Sequence, residues 1–516
     1  MPLRRRSLSV DGPALHAIER NRAWRANAVA TQLVGIDLGT SGVRITAYGL
    51  DGEVLLGGEA TIDAQTVDRW EAALYDTALY LPRGRVLCTV DSTSGTAVLV
   101  DDTGEPVFRP QMYYESAPEH GHEIAALDAT ADLAKKGVPF SATSPLAKVL
   151  RLREAYPERF EAVEWILSPA TWLLYRLLYG TEERWREVET DWTNALKFGA
   201  DVTVASPEWY EPLFDALSLS PDLFPSIVAP GTPIGVATSD LAAEIGLAGA
   251  ELYQGMTDGN ASAISAGCLG AGDYSIACES TSVVKYVSEL ITPHEALYYH
   301  RHPIEGYVAS AAFETGVLFE WVCDRFFGFD ERRGLEAARR VPAGAEYDVY
   351  VQGNRSPFFE SGMANSIFGL WPDQELDREA VRGRLLRGVV TGITLAEYSY
   401  LPLVAEHFES GIERVSLLSR GVPGGDDPFS WWNELRASIW DRPVTRMEPR
   451  TTAGSLLPAT LAASIFDDVE TASARLLRSS GVVTPDESVS DAYAEHRRDH
   501  ADRWADVRDL YDSWDG

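Results

Sequence analysis

Lysine is nearly missing from this chain. Only five of its 45 basic residues are lysine (Lys135, Lys136, Lys148, Lys197 and Lys285), against 77 acids, for a net charge of −32. A surface so short of cations lacks the basic patch that nucleic acid or an anionic membrane requires, which excludes both as partners. Excess acid with little lysine also suits a cytoplasm held at molar salt, where the Debye length shrinks to roughly 3 Å and self-repulsion is screened. The four cysteines (Cys88, Cys268, Cys278, Cys323) show neither CxxC spacing nor a paired framework. They read as buried thiols in a reducing, cytoplasmic compartment. No stretch approaches the roughly 18 uninterrupted apolar residues of a membrane span. The start, MPLRRRSLSVDGPALHAIERNRAW, is basic with no apolar run behind it, unlike a secretory signal. Residues 1–31 are read as an N-terminal extension. Neither a Walker A sequence nor HExxH occurs, and the nine histidines show no ligand spacing.

What is present is pattern. With 516 residues, 45% of them hydrophobic, the chain has material for two to four domains with ample core. Residues 34–55, VGIDLGTSGVRITAYGLDGEVL, alternate apolar and polar around GTSG and then DG, the signature of a β-meander. An ordinary hairpin has no need of an acid two residues before its turn, hydroxyls within it and an arginine after it. Further on, RVLCTVDSTSGTAVLVDDTG reads as two strands around a second hydroxyl-rich turn. Residues 119–180 read as largely helical, ending on Gly180, and a loop rich in Trp, Asp and Asn follows.

Near residue 250 the design returns. GMTDGNASAISAG places an acid in a tight turn before a small-residue helix, and DYSIACESTSVVKYV is another hairpin with a hydroxyl-rich turn and a basic residue beyond it. The parallel between DLGTSGVR and CESTSVVK divides the chain into two comparable lobes: 32–270 and 271–468. A C-terminal segment, 469–516, reads as an acidic helical tail. Strands and helices mix in both halves, so the fold class is α/β.

Two such hairpins facing one another would form an anion site, since backbone N–H groups and hydroxyls in these turns point at phosphate oxygens. Asp37 beside the first turn makes sense if Mg²⁺ lies between carboxylate and phosphate, because hard cations take oxygen ligands. Arg44 is placed to meet a terminal phosphate. Ser282 and Lys285 match the S-x-x-K of serine acyl-enzymes, but no SDN or KTG partner exists and a strand is the wrong context.

These motifs resemble those of the FGGY carbohydrate kinases. GIDLGTSGVR is similar to the family's first phosphate motif, and GMTDGNASAISAG with GDYSIACESTSVVK to its catalytic-aspartate segment and second phosphate motif. GNRSPFFESGMANSIFGL resembles its G-x-R-x-P segment, and TTAGSLLPATLAAS the helix that closes its nucleotide site. DSTSGTAVLVD, the TDG turn and the ST pair with its lysine resemble the D-ribulose kinase branch. The resemblance implies two ribonuclease-H-like, actin-like lobes with sugar and ATP meeting in the cleft. It implies Asp258 as general base, Asp37 as the Mg²⁺ residue, and Gly39, Thr40, Ser41 and Arg44 on the phosphates from one lobe. Ser280 and Thr281 would face them from the other, and Gly424 and Gly425 belong to the adenine loop. Ser94 and Glu115 occupy sugar-contacting positions, as Asp37 and Asp258 also do.

There are departures from the family's pattern. Ser280 stands where most members have Gly, Tyr113-Tyr114-Glu115-Ser116-Ala117 replaces W-N-D-x-R, and Asp426 and Asp427 follow the adenine-loop glycines. The expected activity is transfer of a phosphoryl group from ATP, with Mg²⁺, to a pentulose such as D-ribulose or D-xylulose. Glycerol or a hexulose as acceptor, or a non-catalytic nucleotide sensor, are the alternatives. The expected partners are sugar and ATP, with a homodimer left open.

Overall fold

The computed structural model describes residues 31–81, 83–136, 138, 140–278, 281–294, 296–351, 365–370 and 376–512. The N-terminal extension, Ser280 and most of the G-x-R-x-P segment fall outside the described residues. Two seven-stranded sheets organise the rest, one in each half of the chain.

The first sheet starts with the predicted meander: β1 (Gln32–Leu38), β2 (Gly42–Tyr48) and β3 (Val54–Thr61). Ile36 pairs with Ile45 across β1 and β2, and Asp37 with Arg44, so the apolar set faces the core while the charged pair marks the open end. β4 (Val86–Ser92) then lies parallel to β1, with Asp91 directly beside Asp37. β5 (Pro233–Val236), β6 (Glu251–Tyr253) and the two-residue β7 (Met256–Thr257) complete the sheet in the order β5-β6-β4-β1-β2-β3, with β7 also on β4. Residues between β4 and β5 add a mostly helical layer with its own apolar cluster, which includes Leu146, Phe198 and Phe214.

The second sheet repeats the plan. β8 (Asp273–Cys278), β9 (Thr281–Ser288) and β11 (Tyr307–Glu314) run antiparallel, β10 (Tyr298–Arg301) pairs β11 at the edge, and β12 (Arg414–Leu418) and β13 (Val444–Met447) lie parallel to β8. Both sheets thus carry an antiparallel three-strand meander whose first strand is flanked by parallel strands, the ribonuclease-H-like order. The segment read as a tail from residue 469 does more than trail: β14 (Ser479–Val483) pairs β13, and Tyr493 and Trp504 are buried.

The lobes share one apolar seam. Leu33, Leu87, Met256 and Ile264 of the first half pack with Leu418, Ala453, Leu456 and Leu457 of the second. Its axle is α3 (Thr451–Ala462), the TTAGSLLPATLA helix, which meets α1 (Asp258–Ser265) so closely that a Cβ on Gly454 would stand 2.1 Å from the Ala261 carbonyl oxygen. Hydroxyls pin the same helix to the first sheet, Tyr48 to Thr452 at 2.8 Å and Thr89 to Ser455 at 3.1 Å. The cleft therefore opens beside a tightly packed joint.

Candidate active site in the interlobe cleft

The GTSG turn is closed by the Gly39 N–H donating to the Gly42 carbonyl at 3.0 Å. Gly42 is required there, since a Cβ would stand 2.5 Å from the Ala60 carbonyl oxygen. Gln65 Nε2 donates to the Thr40 carbonyl at 2.6 Å, steadying the turn, and Ser41 is left exposed. Arg44 reaches back to Asp37 at 3.4 Å and sideways to Glu59 at 3.3 Å.

Acids gather where the strands end. Burial, then the charge of Asp258, pushes the Asp37 carboxyl up to about 6, with Arg44 only partly opposing. Asp91 is fully buried, neither of its oxygens has a hydrogen-bond partner among the described residues, and burial with neighbouring Asp37 raises its pKa strongly. β7 pairs with β4 at Met256 and Asp91, which delivers Asp258 to the same place at the first turn of α1. Asp258 Oδ1 accepts the Gly259 N–H at 2.6 Å, and burial raises its pKa while Lys197 and Lys285 oppose the rise. An all-oxygen set of this kind fits Mg²⁺, which is usually held by one or two carboxylates with substrate oxygens completing the shell. Among the described residues no three His, Cys, Asp or Glu side chains form a cage that could hold a metal alone.

Asp258 opens onto a cavity of about 680 Å³ lined by Thr93, Ser94, Tyr113, Lys197, Asn260, Lys285 and His300, among others. Ser94 is in this lining, its buried hydroxyl without a hydrogen-bond partner among the described residues. Glu115 is not in the lining: its carboxylate takes Arg109 at 2.6 Å, and Tyr113 from the same segment faces the cavity instead. Arg109 thus supplies a guanidinium that the missing W-N-D-x-R arginine does not.

The loop rich in Trp, Asp and Asn has a task that its sequence did not declare. Asp191 caps the Trp192–Ala195 turn by accepting the N–H groups of Thr193 and Asn194, and Thr193 Oγ1 accepts the Thr257 N–H at 2.9 Å. The strand leading into Asp258 is therefore braced from the helical layer. Lys197, Lys285 and His300 were likewise not singled out as site residues, for they lie on three separate elements and share no motif.

On the second lobe, Thr281 begins β9, paired with Glu314. Four positions on, Lys285 turns to the cavity, while the Ser282 hydroxyl engages Thr315 and Glu397 at 2.8 and 3.0 Å. The two ends of the S-x-x-K match thus have separate partners. A second cavity of about 410 Å³ is lined by Cys278, Gly316, Glu320, Glu331, Ser419, Arg420 and Arg446. Gly424 and Gly425 do not line it. The aspartates after them are occupied elsewhere: Asp427 caps α2 (Pro428–Trp440) by accepting the Phe429 and Ser430 N–H groups, and Asp426 pairs with Arg339 at 3.1 Å.

Comparisons with known proteins agree with this architecture. Residues 93–265 match the N-terminal domain of the FGGY family of carbohydrate kinases. A xylulose kinase of Staphylococcus epidermidis is 23% identical over 90% of this chain and 94% of its own. An autoinducer-2 kinase of Klebsiella pneumoniae is 24% identical over 93% and 95%. The crystal structure of gluconate kinase from Lactobacillus acidophilus superposes with a TM-score of 0.78 at 16% identity, covering 93% of this chain and 98% of that one. The first lobe's family match, relatives that align along almost the full length, and two ribonuclease-H-like sheets around an acid-lined cleft lead to one conclusion: this chain carries an FGGY carbohydrate kinase domain and has the two-lobe fold of those sugar kinases, phosphotransferases with an alcohol group as acceptor.

Proposed function

We propose that the protein phosphorylates a small ketose, a pentulose such as D-xylulose or D-ribulose, using ATP and Mg²⁺. The observation that carries this reading is Asp258, a half-buried carboxylate at the head of α1, facing a sugar-sized cavity and close enough for its charge to bear on Asp37. The likeness to a full-length xylulose kinase favours a five-carbon acceptor.

Asp258 takes the proton of the attacking hydroxyl, and the cavity orients that hydroxyl toward the cleft. Asp37 holds the metal, with Asp91 behind it as a further oxygen donor. Gly39, Thr40, Ser41 and Arg44 receive the phosphates from the first lobe, and Ser280 and Thr281 from the second. The cavity beside Ser419 and Arg420 takes the nucleoside, so those two residues replace Gly424 and Gly425 in this reading. ATP would supply the transferable phosphoryl group and Mg²⁺ the neutralisation of its charge. Ser94 contacts the sugar, and Tyr113 takes the place first given to Glu115.

ADP release measured with ATP and Mg²⁺ across pentuloses, hexuloses and polyols, at low and at molar KCl, tests the proposal. Turnover with a pentulose is expected. No turnover with any acceptor by a folded protein, in either salt, overturns it.

A further inference from the structure

A chain with five lysines spends three of them on one cavity. Lys148 is fully buried behind it, and its Nζ donates to the carbonyls of Gly95 at 3.2 Å and Met112 at 2.7 Å. Lys197 and Lys285 line the cavity itself, and neither ammonium group forms a hydrogen bond or ion pair with any described residue. Two glycines lie beside these ammonium groups. A Cβ on Gly259 would stand 3.6 Å from Lys285 Nζ, and one on Gly95 would stand 3.8 Å from Lys197 Nζ. His300 Nδ1, buried and without a partner, belongs to the same lining.

The charges do not balance. Two ammonium groups share this lining with a single carboxylate, Asp258, which leaves an excess of one positive charge in a protein of net charge −32. Burial holds Lys285 down to about 8, which still leaves it protonated at pH 7. A buried cation without a counter-ion is costly unless a ligand supplies one. A neutral sugar offers only hydroxyls, which satisfy ammonium donors but not the field.

We infer that the acceptor is an anionic sugar, carrying a carboxylate or phosphate that Lys197 and Lys285 grip while a hydroxyl elsewhere on the chain lies at Asp258. This rests on the kinase reading and narrows its substrate class from a pentulose to an acid-bearing five-carbon sugar. Lysine suits the task, since it binds carboxylate or phosphate oxygens as a compact point charge. In the transfer step the acceptor O–H bond breaks, with its proton passing to Asp258. A new O–P bond forms to the γ-phosphorus as the bond to the β-phosphate oxygen breaks and ADP departs.

The test compares matched acceptors on the full-length protein: D-xylulose and D-ribulose, their 5-phosphates, and the aldonates D-xylonate and D-ribonate. Titration calorimetry without nucleotide gives affinity, and ADP release gives kcat/KM. An acid-bearing sugar is expected to exceed its neutral counterpart at least tenfold in both. Lys285→Met and Lys197→Met are expected to shrink that ratio to within about threefold. Whether the aldonates or the phosphates lead identifies the acid group. A 5-phosphate that binds but releases no ADP is behaving as product, and unless an aldonate binds with the same preference the inference falls. Neutral ketoses turned over as well as or better than the acids overturn the inference and leave the kinase standing. Aldonate affinity that depends on both lysines, with no ADP release from any acceptor, keeps the anion site and overturns the kinase reading. The wild-type ratio decides the matter even if a variant fails to fold.

Discussion

Two ionic clusters, one inside the second lobe and one at the cleft between the lobes, are built on opposite terms. In the second lobe Glu397 and Arg436 are both buried and matched atom to atom, at 2.8 and 3.2 Å. The Ser282 hydroxyl adds a bond to Glu397, and the Trp432 ring lies 4.2 Å from the guanidinium carbon. Every charge there has a partner. At the cleft, Asp91 has two orphaned oxygens, Lys197 and Lys285 have no counter-ion in contact, and Asp37 is pushed up to about 6. A matched buried cluster holds structure, whereas an unmatched one stores unfavourable energy that a ligand relieves. The kinase domain gives the reaction type, and this contrast sets the cleft apart as the candidate place for it.

The contrast is broken most directly at Asp258. Asp258→Asn is expected to lower kcat by roughly 10² to 10⁴, the usual loss of a general base, with the melting temperature unchanged or higher because a half-buried charge is gone. Steady-state ADP release and calorimetric melting on the same preparation check both halves. A tenfold loss or less means that Asp258 is not the base.

The matched cluster should respond in reverse. Arg436→Met leaves Glu397 buried and uncompensated and is expected to cost about 3–5 kcal/mol of stability. Protein that remains folded should keep its KM for sugar. Urea unfolding measures the loss, and a change under 1 kcal/mol would place the pair among the merely decorative ones.

Lys285 permits a sharper comparison through pH. Its folded pKa of about 8 lies below the 10.5 of a free lysine. Below pH 8 the folded state carries a charge that burial disfavours, so the penalty is full. It fades as pH rises from 8 to 10.5 and is absent above. Lys285→Met is therefore expected to stabilise the ligand-free protein by about 1–3 kcal/mol at pH 7, a gain that disappears near pH 10.5. Urea midpoints across that range show it, and a gain independent of pH would trace to packing instead.

Much of this site was legible before the fold was known, for local reasons. Asp37, the GTSG turn and Asp258 announce themselves because alternation and turn chemistry are encoded within a few neighbouring residues. The lobe repeat was legible in the same way. Lys197, Lys285 and His300 were not, because they stand on a helical turn, a central strand and an edge strand brought together only by tertiary packing. Glu115 is a related case: its partner Arg109 lies upstream of the segment that replaces W-N-D-x-R. Thr193 bracing Thr257 spans 64 residues and leaves no trace in sequence spacing.

The smallest effect belongs to two aspartates whose sequence carries two readings. Asp426 and Asp427 follow two glycines where the family keeps its adenine loop, and carboxylates there cost nucleotide binding unless they face ribose hydroxyls or solvent. Asp-Pro before an apolar run is also a helix start, with an N-cap acid and proline at the first helical position. The structure uses it so, with Asp427 capping α2 and Asp426 turned to Arg339 on the exposed surface. Asp427→Ala should cost about 1 kcal/mol of stability, the typical worth of a cap. Asp426→Asn should leave the KM for ATP within about twofold, because an exposed charge paired outside the cavity is screened by solvent. If instead Asp426→Asn sharply improves nucleotide affinity, the nucleoside lies along this loop, and the cavity at Ser419 and Arg420 is not its seat.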